Sequence, residues 1–115
     1  MNAITTNRFS FLTRSKLLIF SPEQIIRLEA YSNYTYVYFT DHGPILMAKV
    51  LREYEEILRP YGFIRTHKSH LVNPNYIAEF DRSGVIRMMD DSRAMVSRRK
   101  KQSVFGLLRD MTTAA

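Results

Sequence analysis

Short runs of aromatic and β-branched residues recur along the whole chain, and polar breaks separate them at short intervals. The clearest run, TYVYFT at 35–40, alternates its side chains with the period of two that a strand requires. Many short runs at such spacing are typical of an all-β domain. The predicted strands are 9–12, 17–20, 25–30, 35–40, 45–49, 63–66, 70–73, 76–80, 85–89 and 94–96.

One segment has the periodicity of an α-helix instead. In VLREYEEILRP, residues 50–60, the apolar side chains fall on a single stripe, and Pro60 and Gly62 end the pattern. The segment 97–111 fits a helical turn, but Gly106 argues against a long helix there. The expected fold is therefore mainly β with one small helix.

Length and composition predict one globular domain over residues 1–115. The chain has no cysteine, which excludes disulfides and thiolate metal sites. No apolar run approaches the roughly 20 residues that span a bilayer. Arg8, Arg14 and Lys16 interrupt any signal-peptide core, so we expect a cytoplasmic protein with no membrane contact.

The charge balance points to a polyanionic partner. The chain has 17 basic and 11 acidic residues, a net charge of +6 and a pI near 9.8. Two stretches, 57–78 and 92–109, contain no acidic residue. Their basic residues are Arg59, Arg65, Lys68, Arg93, Arg98, Arg99, Lys100, Lys101 and Arg109. A basic surface assembled from two segments favours nucleic-acid binding, while a merely solvated basic face is the alternative.

The sequence offers little for catalysis. His67 and His70 would make half of a zinc site on a helix, but the pattern here is strand and turn, and no third ligand stands out. Ser69 lies between them without a nucleophile-elbow motif. Glycine-rich phosphate loops are absent. We therefore expect no enzyme activity, no metal and no cofactor.

Three polar loops can present groups to a nucleic acid: 31–35, 66–70 and 97–101. Each also has a structural interpretation. Asn33 is a turn former, His67 fits a core histidine bonded to the backbone, and the final basic run fits a solvated face. Residue pattern alone therefore predicts a basic all-β domain that binds nucleic acid, and goes no further.

Three ordered blocks resemble one known family. The blocks are IIRLEAYSNYTYVYF, GFIRTHKSHLVNPNYI and MVSRRKK, with the helix VLREYEEIL between the first two. Together they resemble the LytTR DNA-binding domain of LytR/AlgR-type bacterial response regulators, over about residues 17–108. The resemblance implies an elongated fold of short antiparallel sheets. It also implies sequence-specific binding to double-stranded DNA, by loops inserted into successive major grooves at direct-repeat promoter sites.

The resemblance also implies which residues contact DNA. By position they are Asn33, Tyr34, Thr35, Lys49, Arg65, Lys68, Ser69, Arg98, Arg99 and Lys100. Lys68 and Arg98 match the base-contacting positions best. Lys49 and Arg65 fit phosphate contacts or pairing with the acidic residues of the helix. Asn73, beside Pro74, is predicted to fix its turn by side-chain hydrogen bonds to the backbone.

Partners and context complete the expectations. The resemblance implies two copies on DNA, hence a homodimer there. Family members usually carry a phosphoacceptor receiver of a two-component system or a membrane segment, and neither occurs here. The sequence fits either a natural stand-alone protein, which Met1 favours, or a domain excised from a longer regulator. The alternative function is a protein-interaction module that binds a regulatory partner. RNA binding through Tyr34, Tyr36 and Tyr38 is a third possibility, but strand packing explains these tyrosines better.

Overall fold

Ten short strands form the framework of the fold in the computed structural model, which describes residues 7–115. Residues 1–6 of the predicted single domain lie outside the described residues. The strands are β1 (Phe9–Leu12), β2 (Leu17–Phe20), β3 (Ile25–Tyr31), β4 (Tyr34–Phe39), β5 (Ile45–Met47), β6 (Ile64–His67), β7 (His70–Val72), β8 (Ile77–Asp81), β9 (Val85–Met88) and β10 (Arg93–Met95). Every predicted run forms a strand, with ends that differ by at most two residues.

The strands make three antiparallel sheets. β1 and β2 form a hairpin, and the central sheet has the order β5-β4-β3-β7-β6. The third sheet has the order β10-β9-β8. The molecule measures 46 × 36 × 23 Å along its principal axes, so the longest dimension is twice the shortest. The predicted elongated arrangement of short antiparallel sheets is confirmed.

Residues 7–115 form two short α-helices where the sequence predicted one. α1 (Leu51–Leu58) is the predicted helix, and Gly62, with a φ of 87°, ends the turn that follows it. α2 (Lys101–Asp110) is longer than the single turn expected. Its Val104 is buried against the third sheet, and this packing offsets the roughly 1 kcal/mol penalty of Gly106. Neither helix has the length and apolar character of a membrane span, and no other helix in residues 7–115 does.

The central sheet is covered on both faces, which gives the domain two apolar clusters. One cluster lies between this sheet, α1 and the β1–β2 hairpin, and it includes Leu71. The other lies between the sheet, β8–β10 and α2, and it includes Val72. These two neighbours in β7 point to opposite faces, as successive residues of a strand must. Both are fully buried, so β7 is locked in register.

Asn73 joins the end of β7 to the start of β3. Its side chain is buried; Nδ2 donates to the carbonyl of Ile25 at 3.0 Å, and Oδ1 accepts from the backbone N–H of Asn75 at 3.1 Å. The predicted role of Asn73 in fixing this turn is confirmed.

We expect Asn73→Ala to lower the free energy of unfolding by roughly 1–3 kcal/mol, because the buried carbonyl of Ile25 loses its side-chain donor. Chemical denaturation measures this change. Asn75→Ala is the matched control, since Asn75 is exposed and takes part through its backbone N–H. Equal losses in the two variants would contradict the assignment.

Candidate nucleic-acid interface

The topology brings two of the predicted loops to one end of the central sheet. β3 pairs antiparallel with both β4 and β7, so the β3–β4 turn and the β6–β7 turn lie side by side. The backbone N–H of Ala30, near the end of β3, donates to the carbonyl of Ser69 at 2.9 Å. The turn residues Asn33 and Lys68 are both exposed there.

The third loop, Ser97–Lys100, is fastened to the same place. The N–H of Ser97 donates to the carbonyl of Thr66 at 2.8 Å, and the hydroxyl of Thr66 donates to the carbonyl of Met95 at 2.8 Å. Lys100 Nζ donates to the carbonyl of Arg65 at 3.1 Å. Segments thirty residues apart in sequence therefore form one surface.

A basic depression of about 450 Å³ lies between the β6–β7 turn and the third loop. It is lined by Glu55, Arg65, His67, Lys68, Ser97, Arg99 and Lys100. The single carboxylate among these groups is already paired with Arg65. The depression therefore presents excess positive charge, as an anion-binding surface requires.

Arg65 holds the β6–β7 turn from beneath. Its Nη1 donates to Glu55 Oε1 of α1 at 2.8 Å. Its Nε donates to the carbonyl of His67 at 2.9 Å, and Nη2 donates to the carbonyl of Lys68 at 2.5 Å. The side chain is mostly buried, so of its two predicted roles the pairing with a helix acid is the one observed. Arg65 thus positions the backbone that carries Lys68.

The two histidines of the turn are neighbours with different surroundings. His67 Nδ1 accepts from the N–H of Ser69 at 3.1 Å, which agrees with the predicted bond to the backbone, but the side chain is partly exposed and does not lie in the core. His70 is buried, and burial lowers its pKa from 6.5 to about 4. No group of three side chains suited to a metal ion occurs in the described part of the chain.

The first loop is a tight turn with one residue in the left-handed region, Ser32, whose φ is 55°. Asn33 and Tyr34 are exposed beside it. Thr35 differs from the expectation of a DNA contact: it is fully buried, and its hydroxyl donates to the carbonyl of Lys49 at 2.8 Å. A buried, hydrogen-bonded hydroxyl cannot reach a ligand, so Thr35 instead fastens Lys49 to this end of the sheet.

The remaining predicted site residues sort by exposure. Exposed are Asn33, Tyr34, Lys49, Lys68, Arg98 and Arg99, and partly exposed are Arg65, Ser69 and Lys100. Arg98 does not line the depression, although its neighbour Arg99 does. DNA contact by these residues stays a prediction. Residue pattern did not indicate that Thr66 fastens the third loop, because a threonine inside a strand looks like ordinary packing.

Comparison with known proteins gives one consistent result. The family model described as the LytTr DNA-binding domain matches residues 15–109. Among solved structures, the chain is similar to the LytTr DNA-binding domain of a protein described as a methyl-accepting/DNA response regulator from Bacillus cereus. The TM-score is 0.70 and the identity 26%, covering 90% of this chain and 97% of that one. A search of curated proteins found no match. The resemblance seen in the motifs is thus confirmed, and the chain belongs to the LytTR family of DNA-binding domains.

Proposed function

We propose that this domain binds specific sequences of double-stranded DNA as the output domain of a bacterial transcription regulator. Its loops enter successive major grooves, and two copies occupy paired direct repeats at a promoter. The domain has no catalytic role, and it acts in the cytoplasm on chromosomal DNA.

One observation supports the proposal above the others: three loops distant in sequence meet at one end of the sheet and carry excess positive charge. Lys68 projects from one loop and Arg98 from another. Lysine and arginine are the side chains that most often read guanine O6 and N7 in the major groove. Because backbone hydrogen bonds fasten the loops to each other, their side chains are spaced before DNA arrives, which lowers the entropy cost of binding.

We expect Lys68→Ala and Arg98→Ala each to weaken binding to the specific site by about 1–3 kcal/mol, with much less effect on random duplex. The difference arises because a base contact is lost only where the correct base is present. Fluorescence anisotropy with both duplexes at one salt concentration measures it. Equal losses on both duplexes would mean that the two side chains contact phosphate alone.

The matched control is Arg52→Ala. Arg52 is exposed on α1, so its replacement removes the same charge, but the residue belongs to none of the three loops. We expect this variant to discriminate between the duplexes as well as the wild type does.

A second candidate is contact with a regulatory protein through exposed aromatic and apolar side chains of β3, β4 and β5 in the central sheet. Tyr31, Tyr34 and Leu46 are exposed there, and the ring of Tyr31 lies 5.3 Å from that of Tyr36. Exposed tyrosines are enriched at protein interfaces. A partner retained in pull-down after nuclease treatment and a high-salt wash would favour this function, and loss of the partner under those conditions would count against it.

A further inference from the structure

A second depression, of about 360 Å³, lies outside the three loops, where the β8–β9 turn meets the start of α2. It is lined by Phe80, Arg82, Lys101, Gln102 and Phe105. The rings of Phe80 and Phe105 are 5.9 Å apart and form an apolar floor. Arg82 and Lys101 are the two cations that line it, and no carboxylate does.

Several lysine and arginine side chains among residues 7–115 are held in ion pairs, and these two cations are not among them. Arg27, Arg59, Arg65, Arg87 and Lys49 each lie within 4 Å of a carboxylate, but Arg82 and Lys101 pair with none among residues 7–115. The guanidinium of Arg82 instead lies 5.4 Å from the centre of the Phe105 ring. A cation–π contact of this kind leaves the N–H groups of the guanidinium free to donate.

The nearby carboxylates are already engaged. Glu79 pairs with Arg87, and Asp81 accepts the N–H of Ser83 at 2.8 Å. This hydrogen bond lowers the pKa of Asp81, and it shows that the carboxylate stabilises the β8–β9 turn. The positive charge of Arg82 and Lys101 is therefore available to an external anion.

The depression is joined directly to the proposed DNA interface. The N–H of Val96, just before the third loop, donates to the carbonyl of Gly84 at 2.8 Å. A Cβ at Gly84 would meet Lys101 Cε at 2.8 Å, so the lysine stem lies across this turn. Lys101 also follows Lys100 of the third loop in the chain. The second depression thus continues the basic surface beyond the loops.

We propose that Arg82 and Lys101 bind the sugar–phosphate backbone of the duplex that flanks the bases read by the loops. This inference rests on the proposed function and extends its footprint. The two cations donate to phosphate oxygens, while the apolar floor accepts the carbons of a deoxyribose. Such contacts add affinity and register without adding base preference.

The test is the salt dependence of DNA binding by the double variant Arg82→Gln/Lys101→Gln. Glutamine removes the charge but keeps most of the aliphatic stem. The matched control is Arg14→Gln/Lys16→Gln, which removes two charges from the exposed β1–β2 turn, whose residues line neither depression. Apparent affinity for duplex is measured between 50 and 200 mM salt, and circular dichroism verifies the folding of each variant.

Each lost phosphate contact reduces the magnitude of the slope of log K against log salt by about 0.9. We expect a reduction near 2 in the double variant, so that salt weakens its binding roughly tenfold less than it weakens the wild type. The control should keep the wild-type slope, and both variants should keep the wild-type base preference. A double-variant slope equal to the control overturns this inference and leaves the proposed function standing. A wild-type protein that does not bind duplex overturns both.

Discussion

Lowering the pH from 7 to 4 is expected to cost the folded domain about 3 kcal/mol at one side chain, His70. Its pKa falls from 6.5 to about 4 in the folded state, first because the ring is buried. The charge of Glu29 raises the pKa of His70, whereas Arg27 and His67 lower it further. The buried Nδ1 has no hydrogen-bond partner within the described residues, so nothing there compensates a second proton.

The sign follows from proton binding. Below pH 6.5 the unfolded chain takes up a proton at His70 that the folded chain refuses until about pH 4, so stability falls across this window. Denaturant titrations at pH 7, 5.5 and 4 measure the loss. His70→Gln should remove about 3 kcal/mol of the pH dependence. The same pH dependence in His70→Gln would contradict this account.

Replacing Arg65 by alanine is expected to have the second largest effect. The change removes one charged hydrogen bond to Glu55 and two to the turn carbonyls of His67 and Lys68. We expect a loss of about 2–3 kcal/mol in the free energy of unfolding, because a mostly buried carboxylate loses its nearest partner and two turn carbonyls lose a charged donor. Binding to the specific duplex should also weaken roughly 30-fold, about 2 kcal/mol, because Lys68 is no longer held in position.

The chain supplies a matched control on the same carboxylate. Arg59 also faces Glu55, at 3.8 Å, but its side chain is 66% exposed. An exposed pair of this kind contributes at most about 1 kcal/mol, so Arg59→Ala should change stability little and leave specific binding intact. A double-mutant cycle with Glu55→Gln isolates the coupling of Arg65 to α1. No coupling energy, or equal effects of the two arginines, would show that Arg65 does not position the turn.

The strands were predictable because local pattern and tertiary burial agree. Leu71 and Val72 show why pattern alone stops there: two adjacent apolar residues read as one buried run, but they enter different clusters. α2 was underestimated because Gly106 weakens its intrinsic propensity, whereas contact of Val104 with the third sheet is a long-range effect. Propensity is a local quantity, and this packing is not.

The loops that form the candidate interface could be predicted from the sequence, but the role of each residue within them could not. Charge and the family motifs located Lys68 and Arg98 on exposed loops. Charge and motifs did not reveal that Thr35 is buried. Tyr34 and Thr35 point to opposite faces of β4, and the register of the strand decides which of the two faces the core. Nor did they indicate Arg82, because its neighbours along the chain are acidic and polar. Lys101 is distant in sequence and lies beside Arg82 only in the folded domain.

The central claim is sequence-specific recognition of duplex DNA, and selection from random duplexes tests it most directly. Purified protein is mixed with the pool at near-physiological salt, and the bound fraction is sequenced. We predict enrichment of a short motif that occurs twice in the same orientation, at a spacing of about one helical turn. Binding without an enriched motif would contradict the claim, because the basic loops would then supply charge alone.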